Sequence, residues 1–128
     1  MTTDARLDEA RRLFNDKEFF ACHDVLEEVW SETLDEDRSL YQGLIHAAVA
    51  LHHFSEGNLG GARKMYDSTV GYLAPHAERP TLFDVRRLMR DLEACFQELL
   101  SARDYPAGLS LRDDRIPRLH WTEPQGDG

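Results

Sequence analysis

The stretch Tyr41–Phe54 is the most apolar part of this 128-residue chain, and it restricts the fold more than any other. It contains no formally charged residue when its histidines are neutral. One apolar stripe at helical spacing contains Leu44, Ala48 and Leu51, and a second stripe begins at Tyr41. A helix that is apolar nearly all round packs against neighbours on several sides. The stretch therefore predicts a central helix.

Helical periodicity and turn signals predict five helices joined by short connections, and no strand pattern is present. The last helix is preceded by Thr81 and Asp84, whose spacing resembles a capping box. The fold class is therefore all-α, a compact bundle of about five helices with mostly antiparallel neighbours. The first three predicted helices and the fifth span Asp4–Phe14, Lys17 or Glu18 to Glu32, Arg38–Glu56 and Leu82–Arg103. The fourth is predicted to begin within Leu59–Gly61 and to end at Leu73.

The periodicity is lost after the fifth helix. We expect one helical domain over residues 1–105 and an irregular, extended tail over residues 106–128. Isolated apolar residues of the tail are expected to dock on the helices, and its last residues are expected to be disordered.

Two segments of the chain resemble each other. Ala10–Trp30 and Val49–Tyr72 each have a helix, a tight turn and a second helix. The second segment resembles part of a tetratricopeptide unit, in which a small residue after the turn lets two helices approach. Because two units are too few for a free-standing solenoid, we expect two tetratricopeptide-like hairpins within a compact bundle.

Charge and composition exclude several classes of partner. The net charge of −9 repels phosphate backbones, which argues against nucleic acid. Arg86, Arg87 and Arg90 have acidic neighbours, and we interpret them as a solvated helix face. No apolar run is long enough to span a membrane, and the N-terminus lacks an apolar signal core. Cys22 and Cys95 are expected to be buried free thiols, which together with these features predicts a cytoplasmic protein with no membrane partner.

Polar side chains recur on the second and third helices at a spacing that brings them together. His23 and Glu27 share one face of the second helix, because residues four apart are neighbours on a helix. Gln42 and His46 share a face of the third helix in the same way. An antiparallel pairing of these helices would place all four side chains in the interior.

Three interpretations of this cluster remain open. In the first, the four side chains form a buried hydrogen-bond network that fixes helix register. In the second, His23, Glu27 and His46 bind a divalent metal, for which imidazole and carboxylate are suitable ligands. In the third, His23 or His46 is a general base oriented by Glu27. No nucleophile or oxyanion donor is identifiable from the sequence, and no cofactor is expected unless the second interpretation holds.

Glycine inside the central helix has a packing explanation. Gly43 costs about 1 kcal/mol relative to alanine at such a position. It therefore predicts a close crossing with the second or the fourth helix.

Three motifs follow one another in the first half of the chain: FxxCHDVLEEVW at Phe19–Trp30, YQGLIHAAVALHH at Tyr41–His53 and GNLGGARKMY at Gly57–Tyr66. Their order and spacing resemble the family called domain of unknown function 309, over about Leu7–Leu73. The family pattern usually has His-Glu where this chain has His23-Asp24. The resemblance implies an all-helical fold of small bacterial and archaeal proteins, and it implies no established activity. The positions that match the family's motifs are His23, Glu27, Trp30, Gln42, Gly43, Asn58, Gly61 and Ala62.

Two functional hypotheses follow. The first is an interaction or scaffold module with a buried His/Glu/Gln network, whose partner is a second copy of the chain or another protein. The alternative is a metal-dependent or acid–base enzyme, hydrolase-like, centred on His23, Glu27 and His46. A catalytic cluster would line an accessible pocket, whereas a structural one would be closed and fully hydrogen-bonded.

Overall fold

The chain forms six α-helices within residues 4–105 and 108–123, the part that this computed structural model describes. The described residues contain no β-strand, and the all-α prediction is confirmed for them. Two short 3-10 turns, Ala74–His76 and Asp113–Arg115, complete the regular structure. The helices are α1 (Ala5–Asn15), α2 (Phe19–Glu32), α3 (Asp37–Ser55), α4 (Leu59–Leu73), α5 (Val85–Cys95) and α6 (Gln97–Ser101).

The turns after α1 and after α3 have the same backbone geometry. The amides of residues 16–18 donate to carbonyls in the last turn of α1, and those of residues 56–58 donate to the matching carbonyls of α3. The middle residue of each turn is left-handed, with φ of 65° at Lys17 and 78° at Gly57. The two hairpins α1–α2 and α3–α4 are therefore built on the same turn.

The central helix is α3, which packs between α2 and α4. Its apolar stripes are buried, as its sequence predicts. Gly43 marks the crossing with α4, because a Cβ there would lie 2.5 Å from Leu73 Cδ2 and 3.1 Å from Tyr72 Cβ. The buried residues of α3 are Leu40, Tyr41, Gly43, Leu44, Ile45, Ala47, Ala48, Ala50, Leu51 and Phe54.

The prediction of one continuous fifth helix is wrong. The chain forms α5 and α6 with a break at Phe96, whose ring is fully buried. That ring stacks on Tyr66 at 5.0 Å between centroids and meets Phe54 edge-on at 5.1 Å. The apolar periodicity continues through this position, so the break is a consequence of tertiary packing against α3 and α4.

The start of α5 also differs from the prediction. Asp84 is the N-cap itself and accepts from the amide of Arg87 at 3.1 Å, so Thr81 and Asp84 do not form a capping box. The Thr81 hydroxyl instead donates to the carbonyl of Phe83 at 2.7 Å. Phe83 precedes the helix because it forms an antiparallel bridge with Trp121.

Residues 116–122, here called the C-terminal strap, pack along the helices. Leu119 is fully buried, and its amide and carbonyl bond the side chain of Asn15 at 2.6 and 3.1 Å. The indole of Trp121 stacks on Phe83 with ring centroids 4.9 Å apart. The tail end for which disorder is expected, residues 124–128, lies outside the described residues.

Cys22 and Cys95 are free and buried. Burial raises the pKa of each thiol to about 12, so neither is a thiolate near neutral pH. No helix among the described residues has the length and hydropathy that crossing a bilayer requires.

The basic group at the start of α5 is exposed and paired with acids. Arg86 lies 2.7 Å from Glu78, and Arg90 lies 3.4 Å from Asp91. This basic group therefore has the geometry of a solvated helix face.

Candidate functional site

One side of α2 carries a stripe of partly exposed side chains at spacings of three, four and three residues: Phe20, His23, Glu27 and Trp30. The His23 ring lies between two carboxylates, with Nε2 3.1 Å from Glu27 Oε1 and Nδ1 3.2 Å from Asp24 Oδ1. The His23 side chain is 22% exposed and that of Glu27 is 54% exposed. The pair predicted from the sequence therefore forms at the edge of the core and is open to solvent.

The imidazole of His46 on α3 is held at both nitrogens. The amide nitrogen of Gln42 lies 2.7 Å from Nε2, and the Ser68 hydroxyl of α4 lies 2.7 Å from Nδ1. With the Gln42 amide nitrogen as donor, Nε2 accepts and Nδ1–H donates to Ser68. The Tyr72 ring also meets the imidazole edge-on, 5.1 Å between centroids.

Burial lowers the pKa of His46, and the nearby His23 lowers it further. The imidazole of His46 is therefore neutral near pH 7, which agrees with one accepting and one donating nitrogen. A neutral imidazole beside a hydroxyl is able to act as a base, although Ser68 lies within a helix whose amides bond their own turns.

The four polar residues predicted to meet form two separate pairs. Within residues 4–105 no hydrogen bond joins His23 or Glu27 to Gln42 or His46. Glu27 is more than half exposed, so the four side chains do not form one enclosed network.

The structure changes which residues are candidate metal ligands. Donor atoms of His23, Asp24 and Glu27 lie within 4.8 Å of one another, and His46 is not part of this group. The two carboxylates approach opposite nitrogens of His23. An ion bound to one nitrogen would therefore need one carboxylate to change rotamer.

Sequence reasoning missed Ser68 and Tyr72 as neighbours of His46, and Asp24 as a neighbour of His23. Ser68 and Tyr72 are four apart on α4, which is a detectable pattern. Nothing in the sequence shows which face of α3 they meet, because that depends on how α3 and α4 cross.

The remaining motif residues make contacts within the fold. The Arg38 guanidinium lies over the Trp30 ring, 3.9 Å from its centroid. Asn58 caps α4 by accepting from the amide of Gly61 at 3.0 Å. A Cβ at Gly61 would lie 2.6 Å from the Asn58 side chain, and Ala62 is fully buried.

The three helices together present one surface, which we call the α2–α4 face. Phe20 contacts His52 across the α2–α3 boundary at 5.8 Å between ring centroids, and His46 contacts Ser68 and Tyr72 across the α3–α4 boundary. Phe20 is 63% exposed and Tyr72 is 40% exposed. The α2–α4 face consists of Phe20, His23, Glu27, Trp30, Gln42, His46, Val49, His52, His53, Met65, Ser68 and Tyr72, all of them partly or largely exposed.

Comparison with known proteins supports the resemblance stated from the motifs. Residues 7–65 match the family described as Domain of unknown function (DUF309). The resemblance to DUF309 is thereby confirmed. The matched segment holds most of α1, all of α2 and α3 and the first half of α4, so most of the α2–α4 face lies inside the DUF309 match.

Two bacterial relatives extend this result. An uncharacterized protein of Aquifex aeolicus (strain VF5) is 47% identical over 53 residues, which are 41% of this chain and 16% of the relative. The uncharacterized protein YpuF of Bacillus subtilis (strain 168) is 29% identical over 104 residues, which are 78% of this chain and 60% of the relative. The chain thus spans less than two thirds of either relative. No solved structure matches it.

Proposed function

We propose that this protein is an interaction module that binds through the α2–α4 face, and that the partner is a second copy of the chain. The observation that supports the proposal is the continuity of the face across three helices. It presents the exposed Phe20 and Tyr72 together with half-buried imidazoles and apolar side chains. Aromatic side chains are enriched at protein interfaces.

The charge of the molecule favours this face for self-association. The chain has a net charge of −9, so two copies repel each other over most surfaces. Of the residues that define the α2–α4 face, only Glu27 carries a formal charge when the histidines are neutral. Asp24 and Arg38 lie at its edge, 3.2 Å from His23 and 3.9 Å from the Trp30 ring centroid. These three charges sum to −1, so the face with its edge carries only a small part of the net charge of −9.

The hydrogen bonds of His46 give the face its rigidity under this proposal. Gln42 and Ser68 hold the ring between α3 and α4, while His23 holds Glu27 on α2. The predicted polar network thus becomes two local pairs that orient side chains at the surface. Ordered side chains lose less entropy on binding.

Phe20→Asp tests the proposal, with Leu34→Asp as its matched control. Both residues are large, apolar and exposed, but Leu34, which is 89% exposed, lies in the α2–α3 connection and is not one of the residues of the α2–α4 face. We expect the wild-type chain to dimerise in sedimentation velocity runs. Phe20→Asp should raise the dissociation constant about thirtyfold, as for an interface hot spot of about 2 kcal/mol.

The control distinguishes the effect of changing the face from the effect of adding a negative charge. Leu34→Asp adds the same negative charge and should dimerise like wild type, and circular dichroism melts should show both variants folded. A wild-type chain that stays monomeric up to about 1 mM, where binding is weaker than about 4 kcal/mol, would refute the proposal.

A second candidate function is a metal-dependent enzyme, hydrolase-like, on the same face. The observation that favours it is the group His23, Asp24 and Glu27, with donor atoms within 4.8 Å. Elemental analysis tests it in wild type, His23→Ala and the control His53→Ala. Stoichiometric zinc, manganese or iron that is lost only in His23→Ala would favour this candidate over the interaction module.

A further inference from the structure

A cleft of about 380 Å³ lies between α5 and the C-terminal strap. Three arginines line it: Arg87 of α5, Arg115 at the end of the second 3-10 turn, and Arg118 of the strap. The imidazole of His120 lines the same cleft. None of these four residues belongs to the α2–α4 face, so the cleft is a separate surface of the molecule.

The strap presents Arg118 and His120 outward because its other side is buried. Pro117 and Leu119 are buried, whereas Arg118 is exposed and His120 is partly exposed. Alternate residues of an extended segment point to opposite sides, which places residues 118 and 120 together on the outer side. The side chain of Asn15 bonds both the amide and the carbonyl of Leu119, so the fold itself holds this arrangement.

The guanidinium groups in the cleft have few partners of their own. In the part of the chain that the structure describes, Arg115 and Arg118 make no ion pair. Arg87 comes only within 3.9 Å of Asp91. The chain has 24 acidic and 15 basic residues, so three arginines that gather with one distant carboxylate contact are unusual for its composition.

The cleft differs in charge from the rest of the molecule. Two carboxylates, of Asp91 and Asp114, also line it. With three arginines against two carboxylates and a neutral His120, the local charge is +1, whereas the whole chain carries −9. The cleft therefore attracts anions that the remaining surface repels.

The surroundings of His120 show that positive charge dominates in the cleft. Burial lowers the pKa of His120 most, and the positive charges of Arg87 and Arg118 lower it further. Asp91 and Asp84 raise this pKa, each by less than either arginine lowers it. The ring makes no hydrogen bond to any residue within 4–105 and 108–123, so its N–H is able to donate to a ligand.

We infer that this cleft binds the phosphate group of a small phosphorylated molecule, with Arg87, Arg115 and Arg118 as donors to its oxygens and His120 as a further donor. Guanidinium groups suit phosphate because two parallel N–H groups bond two oxygens at once. A bound dianion also offsets the repulsion among the three arginines. The cleft volume lies near the lower end of the range of about 300–1,000 Å³ for small-molecule sites, so a compact organic part fits beside the phosphate.

Inorganic phosphate is the probe, titrated into the full chain and followed by two-dimensional amide NMR at about pH 7.5, above the ordinary histidine pKa. Sodium chloride at the same ionic strength is the reference, because added salt alone screens charges. We expect saturable shifts at the cleft residues with a dissociation constant of about 1 mM or less. Shifts that are absent up to about 10 mM phosphate, or equal in sodium chloride, would overturn the inference.

Arg118→Gln tests the assigned residues, with Arg112→Gln as its matched control. Both are exposed arginines and both changes remove one positive charge, but Arg112 pairs with Glu98 at 3.4 Å and does not line the cleft. Arg118→Gln should raise the dissociation constant about tenfold or more, as loss of a hydrogen bond to a charged group does. Arg112→Gln should change it less than about twofold. Equal weakening in both variants would indicate a general charge effect and refute the site.

The ring of His120 provides a measurement at the site itself. Bound phosphate should raise the pKa of His120, because a neighbouring anion favours the imidazolium form. NMR titration of the ring proton with and without saturating phosphate measures this change, and His53 on the α2–α4 face is the internal control. An unchanged pKa of His120 would place the phosphate elsewhere and overturn the inference. Dimerisation plays no part in these measurements, so their failure would leave the proposed function standing.

Discussion

At the residue scale, two turn positions adopt the same left-handed backbone with different side chains. Gly57 has φ of 78° and Lys17 has φ of 65°. Glycine adopts this region freely, whereas a Cβ makes it unfavourable by about 1 kcal/mol or more. The lysine turn is therefore maintained by its hydrogen bonds and by the packing of the flanking helices.

Gly57→Ala should lower the free energy of unfolding by about 1 kcal/mol. A Cβ there would meet no atom within 4 Å, so the loss comes from the backbone alone. Gly71→Ala is the matched control, because Gly71 lies in α4 and also has open space around it. It should stabilise the protein by about 0.5–1 kcal/mol. Urea denaturation measures both, and equal signs for the two variants would contradict the explanation.

At the element scale, the C-terminal strap connects the two ends of the fold. Asn15 at the end of α1 bonds the backbone of Leu119, and the amide of Asp84 before α5 donates to the carbonyl of His120 at 2.8 Å. Arg11 of α1 lies over the Trp121 ring, 5.1 Å from its centroid. One irregular segment thus covers the core between α1 and α5.

Asn15→Ala should release the strap. The change removes two hydrogen bonds to Leu119 and leaves a buried amide and carbonyl without those partners, at a cost of about 1–3 kcal/mol. In this variant, hydrogen exchange of residues 116–122 should become faster than in wild type, and it should accelerate more than that of α3. Asn58→Ala, which removes the N-cap of α4, should destabilise by about 1 kcal/mol without selective exchange in the strap. Unchanged exchange in Asn15→Ala would show that packing of Leu119 alone holds the strap.

At the scale of the whole molecule, three histidines should make the protein less stable in acid, although acid also reduces its net negative charge. Burial lowers the pKa values of His46, His76 and His120 below the ordinary 6.5. At His76 a second cause adds to burial, because Arg79 Nε donates to its Nδ1 at 2.9 Å and so requires the neutral ring. Its Nε2–H then donates to the Ser39 hydroxyl at 2.7 Å.

The stability contributed by these groups should be fully present above about pH 6.5 and should decline as the pH falls towards their folded pKa values. The unfolded chain binds more protons in that interval, which lowers the free energy of unfolding. For His76, burial lowers the pKa most and the positive charge of Arg79 lowers it further. The negative charges of Asp37 and Glu36 raise it.

Urea midpoints between pH 7.5 and 5.5 measure this effect, a range chosen to bracket the ordinary histidine pKa of about 6.5. His76→Gln has the same net charge as wild type above neutral pH. It should show a smaller slope of the urea midpoint against pH than wild type does. The comparison between the two proteins removes the general stabilisation that loss of negative charge gives on acidification. Parallel slopes for both would exclude His76 as a contributor.

Much of the site and of the fold is predictable because it depends on short-range geometry. The pairs His23–Glu27 and Gln42–His46 form as expected, since residues four apart on a helix are neighbours whatever the helix packs against. Whether the pairs would join depends on the relative rotation of α2 and α3. The structure keeps them apart and gives His46 a second hydrogen-bond partner, Ser68 of α4.

The sequence by itself determined the first four helices, the turns within the two hairpins and the centrality of α3, because periodicity and turn chemistry act over a few residues. Tertiary structure decided the break at Phe96, the docking of Leu119 and the meeting of His46 with Ser68. Those contacts join residues far apart in the chain. They depend on how side-chain volumes fit together when the helices cross, which local sequence patterns do not specify.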